Sequence, residues 1–195
     1  MCTIIAFKHN TGFVKDIILS VLLIALAFTL YNKLRLTPMS LSILCLAFTV
    51  HDLGTFGFYS DPNLFIPYDW ITHFLGIFAA TIVIANFLSS SLTKSKKFKF
   101  NDSMILFIAF LAALGIGALV ELLEFSGYIL LGPGDSIFQL ATVDFAETSS
   151  GNIITDMFSG LYGDTIGDFI CNVIGALVAV ILFSVNFFKF KREKV

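Results

Sequence analysis

Long apolar segments separated by short polar connections dominate this chain. A helix needs about 20 mostly apolar residues to cross a bilayer. The apolar runs here are continuous and do not alternate with polar residues, as a half-buried strand would. We therefore predict an all-α, polytopic transmembrane helix bundle with about five spans. They cover residues 17–31, 38–59, 70–92, 103–126 and 166–188, of which the first is the shortest.

The composition supports a membrane protein. Hydrophobic residues make up 57% of the chain and charged residues only 13%, whereas soluble domains carry about 25% charged residues. A single integral membrane domain accounts for all 195 residues, and we place it in the plasma or inner membrane of the cell. Cys45 and Cys171 fall in predicted spans, so we interpret them as small buried apolar residues, not as a disulfide.

The placement of basic residues predicts the orientation. Ten of the twelve fall on one side of the membrane if the spans alternate: Lys33, Arg35, Lys94, Lys96, Lys97, Lys99, Lys189, Lys191, Arg192 and Lys194. Basic connections stay in the cytoplasm, so the N-terminus is predicted outside and the C-terminus inside. The long connection 132–163 is then an outer loop, in which residues 153–162 could form a short interfacial helix.

Ionisable residues inside the apolar segments are the best functional clue, because charges in a bilayer are costly and mark functional sites. Three pairs have a spacing that places both members on one helix face: Asp69 with His73, Glu121 with Glu124, and Asp164 with Asp168. At about 1.5 Å of rise per residue, all three pairs lie near the outer end of their spans. We therefore expect them to meet at one depth.

The balance of charge at that depth predicts a cation. With Asp52 the cluster would hold six carboxylates, with His51 and His73 as the histidines and no Lys or Arg. Such carboxylates cannot all ionise close together in a low dielectric unless a cation or protons neutralise them. Bundles build metal sites from inward-facing acids and histidines. We predict a divalent metal ion, of undetermined identity, bound by His73, Glu121, Glu124, Asp164 and Asp168, with Asp69 as general base or as the group that orients His73.

Several of these residues also have simpler interpretations. Asp69 could be only the N-cap of the third helix, and Thr165 with Asp168 fits a capping box. His51 and Asp52 are adjacent and differ by about 100° around a helix, so only one of them should face the cluster. Glu121 and Glu124 fit a structural interpretation least well, because neither begins a helix.

Three strings resemble the YjdF-like family of small inner-membrane proteins: DWITHFLGIFA from Asp69, ELLEF from Glu121, and GDTIGDFICNVIGAL from Gly163. The matching residues are His73, Phe74, Glu121, Glu124, Asp164, Thr165, Asp168, Gly175 and Ala176. Gly76 comes one residue earlier than the family's glycine, and the linker before Asp164 is longer. The resemblance covers about residues 69–182, with no counterpart for the first span. It implies a helical membrane fold with this acidic site and no particular activity.

Three classes of function fit these features. The leading hypothesis is a metal-dependent hydrolase of a lipid or lipid-linked substrate at the outer leaflet. The second is a proton or metal-ion transporter, because chains of Asp, Glu and His carry ions across membranes. The third is an accessory subunit in which the cluster is a structural hydrogen-bonded network. The expected partners are membrane lipid and either partner subunits or further copies of the chain. Nucleic acid is not expected.

Overall fold

A computed structural model describes residues 11–60, 64–92, 100–131 and 160–185, and the regular structure within these ranges is entirely helical. There are five α-helices in this part of the chain, together with a short 3-10 turn at Phe58–Ser60. The α-helices are α1 (Thr11–Thr29), α2 (Pro38–Thr55), α3 (Tyr68–Leu92), α4 (Asp102–Leu131) and α5 (Gly160–Ser184). The predicted all-α class is thereby confirmed for the described residues.

Three of the helices are long and apolar enough to cross a membrane: the segments Tyr68–Leu92, Asp102–Ser126 and Asp164–Ser184. They coincide with the third, fourth and fifth predicted spans. The apolar part of α1 is shorter, at Ile17–Thr29, so the first two spans stay predictions. So do the orientation of the termini and the single domain.

Helix α2 ends at Thr55, before the predicted end of the second span at about Tyr59. Two residues later Gly57 adopts a φ of 117°, a left-handed conformation that costs glycine little and other residues much. The fifth helix also begins earlier than predicted, so residues 160–162 belong to α5, while the rest of the predicted interfacial segment lies outside the described residues.

Helix α3 is the centre of the bundle. It packs most extensively against α5, and also against α4 and α2, whereas α1 packs against α2. Small residues let these helices approach closely: Ala113 of α4 and Ala176 of α5 are fully buried against Ile77 of α3. The Cα of Gly175 lies against the backbone carbonyl of Phe74. Helices α3 and α5 therefore approach each other closely next to His73.

The outward faces of the helices remain apolar. On α4 and α5 the exposed side chains include Phe107, Leu119, Leu122, Ile174 and Ile181. Exposed apolar patches of this extent mark contact with a membrane or with another protein. Glu121, Glu124, Asp168 and Asn172 of the same helices are instead buried inside the bundle, where they belong to the site described next.

Candidate metal centre

The imidazole of His73 lies at the centre of a cluster of four carboxylates from three helices. Its Nδ1 is 3.4 Å from Oε1 of Glu121. Its Nε2 is 3.6 Å from Oδ1 of Asp69, 3.9 Å from Oε2 of Glu124 and 3.9 Å from Oδ2 of Asp168. One carboxylate thus faces one ring nitrogen, and three face the other.

The cluster is withdrawn from solvent. His73 and Glu121 are each 7% exposed, Glu124 is 8% exposed and Asp168 is fully buried at 0%. Asp69 is more accessible, with 29% of its side chain exposed. Helices α3, α4 and α5 contain no Lys or Arg to offset the acids. Burying charges is costly unless they are paired or coordinate a metal, so this arrangement favours a bound cation.

Helical spacing explains how the sequence brings these side chains together. Asp69 and His73 are one turn apart on α3, and Glu121 and Glu124 are one turn apart on α4, so each pair shares a face. The close contact of α3 with α5 adds Asp168 from the opposite side. Asp69 lies in the first turn of α3, where a negative charge interacts favourably with the helix dipole.

The capping interpretations are not supported. Helix α3 begins at Tyr68, so Asp69 lies inside the helix. The hydroxyl of Thr72 donates to the backbone carbonyl of Asp69 at 2.7 Å and contacts its Oδ1 at 3.2 Å. Helix α5 begins at Gly160, so Thr165 and Asp168 are also interior and cannot form a capping box at its start. Asp69 and Asp168 are therefore available for other roles.

Two sets of three side chains have ligand atoms that all lie within 4.8 Å of one another. They are Asp69, His73 and Asp168, and His73, Glu121 and Glu124. Within the described part of the chain these sets contain four of the five predicted ligands and the predicted general base. The fifth predicted ligand, Asp164, belongs to neither set; it precedes Asp168 by one turn of α5.

Of the adjacent residues His51 and Asp52, only His51 lines the cavity beside the cluster. Its Nδ1 is hydrogen-bonded to the hydroxyl of Tyr59 at 2.8 Å. Asp52 instead accepts a 2.8 Å hydrogen bond from the hydroxyl of Ser20, which joins α2 to α1. The expectation that only one of the two faces the site therefore agrees with this geometry.

Some buried polar atoms of the cluster have no hydrogen-bond partner among the described residues. They are Oε1 of Glu121 and both side-chain amide atoms of Asn172, a fully buried residue of α5. Buried polar groups are nearly always hydrogen-bonded, so these atoms are suited to bind a ligand, an ion or a water molecule. Asn172 lies one helical turn after Asp168, and this spacing places it on the same face of α5.

A cavity of about 300 Å³ adjoins the cluster. Asp69, His73, Glu124 and Asn172 contribute to its wall, and most of the remaining wall is apolar. Sequence reasoning did not predict this cavity. Gly76 lies one helical turn after His73, and this spacing could have suggested the cavity. Glycine has no side-chain carbon to fill the space next to the imidazole.

Fold and site together define a helical membrane protein with a buried carboxylate and histidine cluster. The chain belongs to the family described as predicted membrane protein (DUF2238), whose model matches residues 1–188. This is consistent with the YjdF-like resemblance, and it extends the match to the first span, for which we expected no counterpart. No curated protein and no solved structure matches the chain.

Proposed function

We propose that this membrane protein binds one divalent metal ion on the Nε2 side of His73 and uses it to hydrolyse an ester bond of a membrane lipid. The observation that carries the proposal is the set of three carboxylate oxygens lying 3.6 to 3.9 Å from that nitrogen. Two ligands of a tetrahedral ion, each about 2.1 Å from the metal, are about 3.4 Å apart. The distance from Nε2 to each of the three oxygens is therefore within a few tenths of an ångström of the spacing between two ligands of one ion.

His73, Glu124 and Asp168 are the proposed ligands. Three protein ligands leave a further position open, as in catalytic metal sites. A mixture of imidazole and carboxylates suits a first-row ion such as zinc, manganese or iron. Asp164 could add a ligand from the next turn of α5, in accord with the prediction from sequence.

Glu121 has a different role in this proposal from the one predicted. Its Oε1 faces Nδ1, on the side of the ring away from the three other acids. Histidines that bind metals usually donate their second ring N–H to a carboxylate, which fixes the tautomer and orientation of the ring. We assign that positioning role to Glu121, which is then not itself a ligand.

Asp69 is the proposed general base, as the sequence suggested. It is the most accessible of the four acids, and it lines the cavity from which a substrate would approach. In ester hydrolysis a water molecule adds its oxygen to the carbonyl carbon and gives a proton to Asp69. The bond to the alcohol oxygen then breaks, and Asp69 returns the proton to that oxygen. The metal would supply Lewis-acid stabilisation.

The geometry favours a resident ion over a transport pathway. Both candidate metal sets in the described residues contain His73, so these ranges offer no second set of ligands along which an ion could pass. An accessory subunit, the third class of function, would not need a metal ion. A structural network of shared protons would keep its fold and all its contacts in metal-free protein.

Metal analysis and lipid hydrolysis test the proposal together. We expect protein purified in detergent to contain about one equivalent of metal and to release fatty acid from phosphatidylglycerol vesicles, measured by mass spectrometry. Asp69→Asn should keep the metal and lose the hydrolysis, whereas Asp168→Asn should lose both. Asp102→Asn, at the opposite end of α4 from Glu121, is the control and should change neither. Native protein without metal, or with metal and no hydrolysis, would contradict the proposal.

A further inference from the structure

The apolar cavity beside the cluster is built by all five helices. Its wall is formed largely by aliphatic and aromatic side chains, including Leu19, Leu23, Leu44, Phe48, Ile116 and Val120. Along α3 it extends from Asp69 to Ala80, a distance of about 16 Å at 1.5 Å per residue. Its volume of about 300 Å³ is at the lower end of the range for ligand pockets. The cavity thus has the length and narrowness of a site for a single chain.

One end of the cavity is polar, where Asp69, His73 and Glu124 line it together with His51. Asn172 also lines the cavity, and its side-chain amide lies beside Gly117 of α4. The amide of Asn172 is fully buried, and neither its nitrogen nor its oxygen has a hydrogen-bond partner within the described ranges. An amide in such a position is suited to a ligand that offers a hydrogen-bonding group. The elongated apolar wall needs a ligand with a hydrocarbon chain.

We propose that this cavity binds one acyl chain of a membrane glycerolipid, with the ester carbonyl of that chain next to Asn172 and His73. The amide nitrogen of Asn172 donates to the carbonyl oxygen, and the chain runs along α3 towards Ala80. The position of the ester at the metal rests on the proposed function, whereas binding of the chain does not. This assigns the substrate class as acyl esters, and the amide as the group that positions the carbonyl.

Gly76 keeps the cavity open. A Cβ added at this position would meet no atom within 4 Å, so the absent side chain leaves real space next to His73. Gly115 of α4 also has open space at its Cβ position, but it is exposed on the bundle surface and does not line the cavity. The pair Gly76→Leu and Gly115→Leu therefore makes the same chemical change inside and outside the proposed site.

Photolabelling tests the proposal directly. The probe is a phosphatidylcholine with a diazirine in the middle of one acyl chain, present at low fraction in phosphatidylglycerol nanodiscs. The protein is stripped of metal with EDTA so that the ester stays intact, and adducts are mapped by peptide mass spectrometry. In native protein we expect adducts at the cavity residues Leu44, Phe48 and Val120. Adducts at the outward-facing Leu119 report ordinary contact with lipid.

Gly76→Leu should lower the adducts in the cavity about 15-fold, because its side chain displaces about two methylenes, each worth about a factor of four in affinity. Adducts at Leu119 should not change, and Gly115→Leu should resemble native protein at every position. Ala80→Leu tests the same cavity from one turn deeper and should also lower the adducts.

Native protein without cavity adducts, or cavity adducts that persist in both filled variants, would overturn the proposal. The metal content of each preparation before stripping is measured in parallel and tests the proposed function separately. Cavity adducts in a protein that never contained metal would support the acyl site and reject the hydrolase. Bound metal without cavity adducts would support the metal site of the proposed function and reject the acyl site.

Discussion

Nδ1 of His73 lies 3.4 Å from Oε1 of Glu121, and this pair joins α3 to α4 inside the bundle. The oxygen is buried without a hydrogen-bond partner among the described residues, so the two atoms are close without being well aligned. A small rotation of the ring would let Nδ1–H donate to Glu121. With the proton on Nδ1, the neutral ring keeps the lone pair of Nε2 towards Asp69, Glu124 and Asp168, which is the tautomer that a metal ligand requires.

This relationship predicts a ranking of metal affinities. Glu124→Gln and Asp168→Asn remove proposed ligands and should abolish stoichiometric binding. Glu121→Gln removes the group that orients the ring, which typically costs 10–100-fold in affinity. Isothermal titration of stripped protein with zinc or manganese measures all three variants, with Asp102→Asn as the control. If Glu121→Gln removes binding as completely as the other two, Glu121 is a ligand, as the sequence first suggested.

A second prediction concerns the stability of the metal-free protein. Glu124→Gln should leave its unfolding temperature unchanged or raise it, because one negative charge leaves a crowded site. In the presence of metal, native protein should instead be more stable than Glu124→Gln. An ion at 100 times its dissociation constant stabilises the native protein by about 2.7 kcal/mol, whereas the variant no longer binds the ion.

Thermal unfolding in detergent, with and without metal, measures both effects. Asp102→Asn is again the control, because it removes an acid from α4 far from His73. A large loss of stability in metal-free Glu124→Gln would mean that Glu124 belongs to a structural network, and it would count against metal ligation.

The sequence predicted that Asp69, Glu121, Glu124 and Asp168 meet near His73, and the reason is geometric. Spacing of three or four residues places Asp69 with His73 and Glu121 with Glu124 whatever the partner helix is. The rise per residue then gives their depth in the bundle. Neither quantity gives the rotation of one helix against the next. Glu121 lies on one side of the His73 ring and Asp168 on the other. This division of the acids between the two ring nitrogens therefore follows only from the folded structure.

The cavity and the end of α2 show the same limit. The open space at Gly76 depends on which side chains of α1, α2 and α4 face it, and continuous apolar helices give little sign of the face that turns inward. From the sequence we also predicted that the second span extends to about Tyr59, because apolar residues continue past Thr55. The helix nevertheless ends at Thr55, and two residues later Gly57 adopts a left-handed φ that hydropathy does not predict.

A third prediction concerns the attachment of α1 to α2. Ser20 is 3% exposed, and its hydroxyl donates to Oδ1 of Asp52 at 2.8 Å. Ser20→Ala removes the donor, and hydrogen bonds to charged groups contribute about 1.5–3 kcal/mol. We expect unfolding in detergent to become easier by about 2 kcal/mol. Ser42→Ala is the matched control, because that exposed hydroxyl donates only within its own helix, to Pro38. Equal effects of the two changes would show that the link between α1 and α2 contributes nothing measurable.

The last prediction concerns the contact that holds α3 and α5 next to the site. A Cβ at position 175 would press on the backbone carbonyl of Phe74, with that residue's carbonyl carbon at 3.2 Å and its Cα at 3.3 Å. Backbone atoms cannot turn aside as a flexible side chain can, so Gly175→Ala must separate the helices. Overpacking of this kind costs about 1–3 kcal/mol, and we expect a lower unfolding temperature in detergent.

Gly115→Ala provides the comparison, because its added methyl group meets nothing within 4 Å. Replacing a helical glycine by alanine at such a position should be neutral or stabilise by up to about 1 kcal/mol. Since Phe74 follows His73 directly, separation of the helices at Gly175 should also move the imidazole away from Asp168. Metal affinity should therefore fall in Gly175→Ala and stay constant in Gly115→Ala. Loss of stability in Gly175→Ala with unchanged metal affinity would show that this contact supports the fold without positioning the ligands.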